Sequence, residues 1–440
     1  MSIPGYSTIR YVKAGNSTPS YPYTTWATAS DSIQKVVDIC VSGDTILIGT
    51  GVYPQIVNSE HYGRNLTILG VDIDSCVIDV SGFPLEPTVW VFTFQDNLNI
   101  ENMTFKTRLG TTEHIAFYTF GSAFNHNIVN IKNVNFLGIF RKAILMSNTA
   151  GSILNCYFYA CDDAIVGPEY TNSQPMLIYN NLFNRVNAGV QADYSKIVRN
   201  SFIDTYVYAV SFNDFFGYFV DVKNNFMHGR NYDVGVNNVP NSIENNIIIN
   251  FARGITMRPG TRVVNNVIMK AREYAIYTRH PLTSAYVNYN CFYNNGTLTN
   301  DTTLFNLDTT IYYTADPMFE NQDSNNFLLQ MFSPLIDAGD PNILDVDSSR
   351  SDVGLYGGPY GQSYEYKDLL KETKSDISHQ IKNKVNFQWR GSTEADFNSF
   401  SLYRSRDPQF IPNDNNKIYS GIDTPSQTPL QTRQAVIFTN

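Results

Sequence analysis

Charge is scarce in this 440-residue chain. Asp, Glu, Lys and Arg together make up 16% of it, and the net charge is −9 at pH 7. Binding a phosphate backbone needs clustered Lys and Arg, so this balance argues against nucleic acid as a partner. No apolar run is long enough to span a membrane. The five cysteines, at 40, 76, 156, 161 and 291, are odd in number and fit no metal spacing. That points away from a disulfide framework and towards buried thiols. The six histidines are scattered and form no zinc pattern. No Ser-His-Asp signature, phosphate-binding loop or dinucleotide fingerprint is present. Met1 to Tyr6 lacks the basic and apolar regions of a signal peptide. The expectation is either a signal already removed or exit by another route, such as release of a phage particle by lysis.

Aromatic residues, by contrast, reach 14%. With Asn also abundant, the composition suits a β-rich, rigid, extracellular or virion-like protein. The asparagines are periodic. One column reads Asn102, Asn133, Asn155, Asn180, Asn200, Asn224, Asn245 and Asn265, with Tyr289 as a ninth copy. Two positions before each stands Ile or Val, from Ile100 and Ile131 to Val198 and Val263. Three positions after each stands Phe, Ile or Met, as in Phe105, Phe136, Phe158, Phe183 and Ile203. A second column of small residues keeps the same phase: Ala143, Ala164, Gly189, Ala209, Gly235, Gly254 and Ala275, each followed by Ile or Val. A repeat of about 22 residues signals a solenoid. Short alternating runs rich in β-branched and aromatic residues read as two or three strands per turn, and stacking them gives a parallel β-helix. Asn tolerates the left-handed backbone of a tight bend. Its amide can also hydrogen-bond from coil to coil. The long step from Asn102 to Asn133 predicts an inserted loop around Arg108 to Phe124.

Ser30 reads as an N-cap, followed by Ile33, Val36, Val37 and Cys40 at helical spacing. This short helix is expected to close the open end of the solenoid. The stretch Thr24 to Ala29, this helix, Gly43-Asp44-Thr45-Ile46 and Gly51-Val52-Tyr53 resemble the opening of pectate-lyase-like right-handed β-helix proteins. Asp316 to Phe319, Ser333 to Gly339 and Ser351 to Gly358 resemble the end of the same superfamily. The resemblance covers roughly residues 8–361 and implies an all-β, right-handed parallel β-helix. The superfamily spans polysaccharide lyases, glycoside hydrolases, uronate epimerases, phage tailspikes and adhesins, and fold does not decide among them. The expected organisation is 1–361 β-helix, 362–383 linker or short helix, and 384–440 a small β-sandwich-like module. In that module Trp389 and Phe400 to Ser405 resemble early strands of a fibronectin type III domain. Too few strands follow for a complete sandwich, so truncation or completion by another chain stays open.

Alternation places one row outward after the small column: Leu145, Val166, Gln191, Ser211, Asn237, Thr256 and Tyr277. A neighbouring row runs through Ser147, Pro168, Asp193, Asn213, Val239, Arg258 and Arg279. Arg258 and Arg279 would then stand one coil apart, flanked by Tyr277 and His280. Guanidinium forks suit the carboxylates of a polyuronate, and a tyrosine ring can stack on a sugar. Asp193 and Asn213, beside Asp214, are candidates to hold substrate oxygens, with or without a shared Ca²⁺. Asp345, Asp347 and Asp352 present oxygens at alternate positions, as Ca²⁺ loops do, but lack the glycine and terminal Glu. Asp162-Asp163 resembles the paired acids of polygalacturonase-type hydrolases. Arg141 and Lys142, one coil earlier, offer a charge-neutralising stack instead.

Three readings follow. The first is a carbohydrate-binding β-helix on a cell surface or virion, adhesin- or tailspike-like. Its partner is a polysaccharide or cell-surface glycan, and it assembles as a homotrimer or with other surface proteins through the C-terminal module. The second is a polysaccharide lyase in which Arg258 or Arg279 neutralises a uronate carboxylate while a base removes the adjacent proton. The third is an architectural spacer.

Overall fold

The structure is a computed structural model. It describes residues 7–59, 64–83, 88–93, 97–108, 114–121, 127–167, 174–212, 219–279, 286–301, 312–331, 333–366, 376–381, 384–388, 400–404, 413–421, 428–429 and 435–439. Two compact units form. One holds residues 1–315 and 337–363, the other 316–336 and 364–440.

The first unit is a right-handed parallel β-helix with three strands per regular coil. On the first face lie strands such as Thr149–Leu154, Met176–Tyr179 and Tyr194–Val198, each paired in parallel with the next. The second face holds Tyr157–Tyr159, Leu182–Asn184 and Ser201–Thr205. The third face is an eleven-stranded parallel sheet from Val57–Ser59 to Thr297–Thr299. It includes Ile115–Phe120, so the stretch expected as an inserted loop supplies a regular strand.

The corner between the first and second faces explains the asparagine column. Asn102, Asn133, Asn155, Asn180, Asn224, Asn245 and Asn265 all have φ between 51° and 58°. Asn reaches that left-handed conformation at little cost. One position differs from the sequence reading: Arg199, φ 55°, occupies this corner, and Asn200 lies beside it. Strand register agrees, because Ile197 pairs with Val222, and Phe202 with both Phe183 and Met227. The columns at this coil are therefore Ile197, Arg199 and Phe202, not Val198, Asn200 and Ile203. The reason is packing. With Phe202 in place, five rings stack at nearly parallel angles: Phe105, Phe136, Phe158, Phe183 and Phe202, with centroids 5.4, 5.0, 4.8 and 4.4 Å apart. Each ring is buried, and burying one contributes about 1.5–3 kcal/mol.

Asn200 belongs to a second ladder that the sequence reading missed. Asn181, Asn200, Asn225, Asn246, Asn266 and Asn290 are at most 2% exposed. Each Nδ2 donates to the next Oδ1 at 2.9, 3.0, 3.0, 2.9 and 3.0 Å. The doublets Asn180-Asn181, Asn224-Asn225, Asn245-Asn246 and Asn265-Asn266 were its signal. The first member turns the chain, and the second points inward to satisfy backbone groups that the corner leaves unpaired.

The helix Ile33–Ile39 packs Ile33, Val36 and Val37 into the end of the core. Its N-cap is Ser32, whose side chain accepts from Lys35 N, rather than Ser30. Ser30 is held in a bridge with Val12, and its hydroxyl accepts from Ser32 N at 3.0 Å. All five cysteines are buried.

Residues 337–363 form a strap that runs back across the corner. Asn265 Oδ1 accepts from Asp340 N at 2.8 Å. Asn245 Nδ2 donates to the Asp352 carbonyl at 2.9 Å. Asn224 Nδ2 donates to the carbonyls of Leu355 and Gly357 at 2.8 and 2.6 Å. Arg262 adds an ion pair to Asp340 at 2.7 Å. In this way the corner asparagines of three successive coils bind one returning segment.

The second unit contains the hairpin of Phe319–Asn321 and Asn326–Leu329. It also holds two antiparallel three-stranded sheets. One joins Asp376–Ile381, Lys384–Gln388 and Thr428–Pro429. The other joins Lys417–Gly421, Phe400–Arg404 and Ala435–Thr439. Asp376–Ile381 is thus a strand where a linker or short helix was expected. Trp389, on which the fibronectin likeness leaned, lies outside the described residues.

Candidate functional site on the third face

The chain enters the third face at the small column. There the side chain points back against the second face. A Cβ on Gly254 would sit 2.5 Å from Ile268 Cγ2, and one on Gly235 equally close to Ile248 Cγ2. At these two coils even the methyl group of Ala would clash. The residue before this column faces outward and forms one register row: Lys142, Asp163, Ala188, Tyr208, Val234, Arg253, Tyr274 and Thr297. The second outward row is the one expected from alternation: Leu145, Val166, Gln191, Ser211, Asn237, Thr256 and Tyr277. It changes character along its length. Leu145 and Val166 are apolar, whereas the row from Gln191 onward is polar or aromatic. Asn237 Nδ2 donates to Ser211 Oγ at 3.2 Å. Among the described residues, Asn237 Oδ1 and Thr256 Oγ1 are buried without a hydrogen-bond partner. Five coils of this polar row extend about 19 Å at the usual strand spacing.

The expected third row does not hold together. Asp193 is 1% exposed and Val239 is 0% exposed. The physical reason is that the strands end before this position, at Gln191 and Asn237, and Asn238 with φ 62° turns the chain. Arg258 and Arg279 do come to adjacent coils, since each follows the paired residues Met257 and Thr278. Arg258 is half-buried, with its guanidinium 5.0 Å from the Phe212 ring, while Arg279 is exposed. Tyr277 is engaged by a different arginine: Arg253 lies 4.1 Å over its ring. His280 and Asn213 lie outside the described residues.

Arg253 also pairs with Glu273 at 3.2 Å, and Arg272 meets the same carboxylate at 2.9 Å. Hydrogen bonds from Arg272, then Arg253, hold the Glu273 carboxyl below its ordinary range. These groups, with Tyr232, Asp233, Val234 and Ala252, line a cavity of about 200 Å³. Tyr232 is 61% exposed, and Tyr274 packs 5.6 Å from Tyr277. Arginine and tyrosine therefore gather at one place on the face, with Arg253 five residues before Arg258, where the sequence reading placed the arginine. The detectable signal was the residue before each small one, already charged at Lys142 and Asp163.

Four coils away, the acids form a separate cluster. Lys142 pairs in register with Asp163, and Asn187 Nδ2 donates to Asp162 Oδ1. Burial, then the charge of Asp162, push the Asp163 carboxyl above its ordinary value, against the pull of Lys142 and Arg141. Burial and the two aspartates also raise the Tyr208 phenol.

The expected cation loop lies in the strap. Asp345 accepts backbone N–H groups from Asp352 at 3.1 Å and from Gly358. Asp347 accepts from Ser349 N at 3.0 Å, and Asp352 Oδ1 accepts from Asp337 N at 2.9 Å. Among the described residues, no group of three or more His, Cys, Asp and Glu side chains is arranged to hold a metal.

The parallel coils, corner asparagines and returning strap define a right-handed parallel β-helix. No protein-family model matches the chain, and no curated protein does. Among solved structures, pectate lyase Pel9A is similar over 80% of this chain and 97% of its own, at 14% identity and a TM-score of 0.42. The PL6 family alginate lyase AlyGC is similar over 67% of this chain at 12% identity and a TM-score of 0.33, and the chain spans 53% of that protein. Both are likenesses of fold alone.

Proposed function

We propose that the protein is an extracellular or virion-associated β-helix that binds an extended acidic polysaccharide along its third face, as an adhesin or tailspike does. The observation that supports this is the in-register polar row from Gln191 to Tyr277 beside the Arg253, Arg272 and Tyr232 cavity. A parallel sheet repeats the same outward position at every coil, which suits a polymer with a repeating unit. Guanidinium groups take carboxylates, tyrosine rings take sugar faces, and the half-buried side chains of Gln191 and Asn237 take ring hydroxyls. Asp163 is four coils from Arg253, about 19 Å along the stack. The acid cluster and the arginine cluster therefore cannot act on one bond. The C-terminal unit is the part assigned to assembly, with copies of this chain or with other surface proteins. Light scattering tests for the trimer.

The second reading is a polysaccharide lyase. The adjacent placement of Arg258 and Arg279 supports it, because one of them can neutralise the carboxylate next to the proton being removed. One experiment separates the two readings. Pectic, alginate and glycosaminoglycan polymers are immobilised, and retention of the protein is measured alongside ultraviolet absorbance from unsaturated uronate ends. Retention that drops about tenfold in Arg253→Ala and Arg272→Ala, without absorbance, is the expected result. Growing absorbance that is lost in Arg258→Ala or Arg279→Ala replaces binding by elimination. No retention on any polymer refutes the proposal.

A further inference from the structure

The strap ends its run of amide contacts at Asn224, one coil short of Arg199. There the regular corner column is broken. Asn180 Nδ2 donates to Asn155 Oδ1 at 2.7 Å, and Asn224 is hydrogen-bonded to the strap, but Arg199 stands between them. Arginine at φ 55° is a poor conformational choice where seven other coils use Asn. Its guanidinium donates to Tyr179 Oη at 3.3 Å, and among the described residues it pairs with no carboxylate.

Beside it lies a cavity of about 150 Å³, lined by Arg199, Ser201, Asn180, Tyr356, Tyr360 and Gln362 among others. That is the share of about five water molecules, the scale of one sugar ring. The far wall is built by the strap. Gln362 N bonds to the Tyr356 carbonyl at 2.9 Å, and Gly361 N to that of Gly358 at the same distance. These turns present Tyr360, 38% exposed, at the cavity mouth. The cavity thus combines one cation, one accessible aromatic face and several hydroxyl and amide groups. A carboxylate with an attached hydroxylated ring satisfies all three.

We infer that this cavity is a second binding site, for a single carboxylate-bearing sugar unit, at the corner of the first and second faces. It stands whether or not the third face binds a polymer.

The test uses calorimetric titration of the full chain with galacturonate, galactose and acetate. Galacturonate supplies ring and charge, and the other two supply one each. Saturable binding of galacturonate is expected, with galactose and acetate at least about tenfold weaker. Arg199→Asn restores the residue used at the other corners, so it keeps the fold while weakening galacturonate about tenfold or more. Tyr360→Ser weakens it independently, and the titrations are made in an Arg253→Ala background so that uronate bound on the third face does not contribute. Acetate binding as well as galacturonate, full affinity in Arg199→Asn, or no saturable binding of galacturonate each overturns the inference.

Discussion

Replacing Asn225 by Ala should be among the most destabilising single changes in the β-helix, although Asn is a polar residue in an apolar core. Its side chain donates to the Ile197 carbonyl at 2.8 Å, the Lys223 carbonyl at 2.9 Å and Asn246 Oδ1 at 3.0 Å. Its Oδ1 accepts from Asn200 N at 2.9 Å and Asn200 Nδ2 at 3.0 Å. Most of these partners keep a second bond after truncation. The Lys223 carbonyl still receives Arg199 N at 3.2 Å, and Asn200 Nδ2 still donates to the Ile178 and Val198 carbonyls. The Ile197 carbonyl keeps its place in the parallel ladder with the Val222 strand, so the group left without a partner is the Asn200 N–H. A buried polar group left unsatisfied costs about 1–3 kcal/mol, so the loss is about 2 kcal/mol before the cavity left by the side chain is counted. The control is Asn180→Ala at the corner itself. That change mainly forces Ala into the left-handed region, at about 1 kcal/mol. Solenoid coils open partly independently, so the assay is amide hydrogen exchange resolved by coil rather than one melting curve. Asn225→Ala should raise exchange around Asn200 and Asn246 far more than Asn180→Ala does around its own coil. Equal or smaller protection loss in Asn225→Ala would refute the claim that the inner amides, rather than the bends, hold the stack.

Asp163→Asn should raise the melting temperature at neutral pH. The folded carboxyl is raised above 3.8, so ionisation opposes folding, and the penalty fades as pH falls from the raised value to 3.8. The variant and the parent should therefore converge at low pH, and divergence there would count against the assignment. Arg262→Gln should loosen the strap by about 2 kcal/mol, a value reduced because Arg262 is partly exposed, with faster exchange at Asn245 and Asn265. Chelation should leave the melting temperature unchanged, because Asp345, Asp347 and Asp352 already accept backbone or hydroxyl hydrogens. A marked drop with EDTA, reversed by Ca²⁺, would restore the cation reading of that loop.

The coil repeat was legible because burial imposes it residue by residue. Ile131, Ile153, Ile178, Val222 and Ile243 recur wherever the first face meets the core. The segment Ile197-Val-Arg-Asn-Ser-Phe-Ile203 was ambiguous, because Val198, Asn200 and Ile203 match the pattern as well as Ile197, Arg199 and Phe202. Only the stacked phenyl rings choose between them, and that contact spans coils. The inner amides were hidden for a related reason: a buried Asn and a bending Asn look identical in sequence. At the candidate site, alternation anticipated the outward row ending at Tyr277 but not that Arg253 lies over its ring. Alternation predicts direction within a strand and says nothing of how far a long side chain reaches sideways. Arg253 leans across to the next coil, and Asp193 falls just past a strand end where alternation no longer applies.

The strap also has a consequence for biosynthesis. Gly357 lies 133 residues beyond Asn224, its partner in the corner. At ordinary ribosomal speeds that interval is on the order of ten seconds. For that time the coils around Asn224, Asn245 and Asn265 exist with their corner amides open to water. They must be held by the strand ladders, the aliphatic stack of Met227, Ile248 and Ile268, and the inner amides. Only when the strap emerges does the seam close. A nascent chain halted before the strap would carry most of the coils with that seam still open, and this makes the corner the natural place for a chaperone or protease to distinguish finished from unfinished molecules.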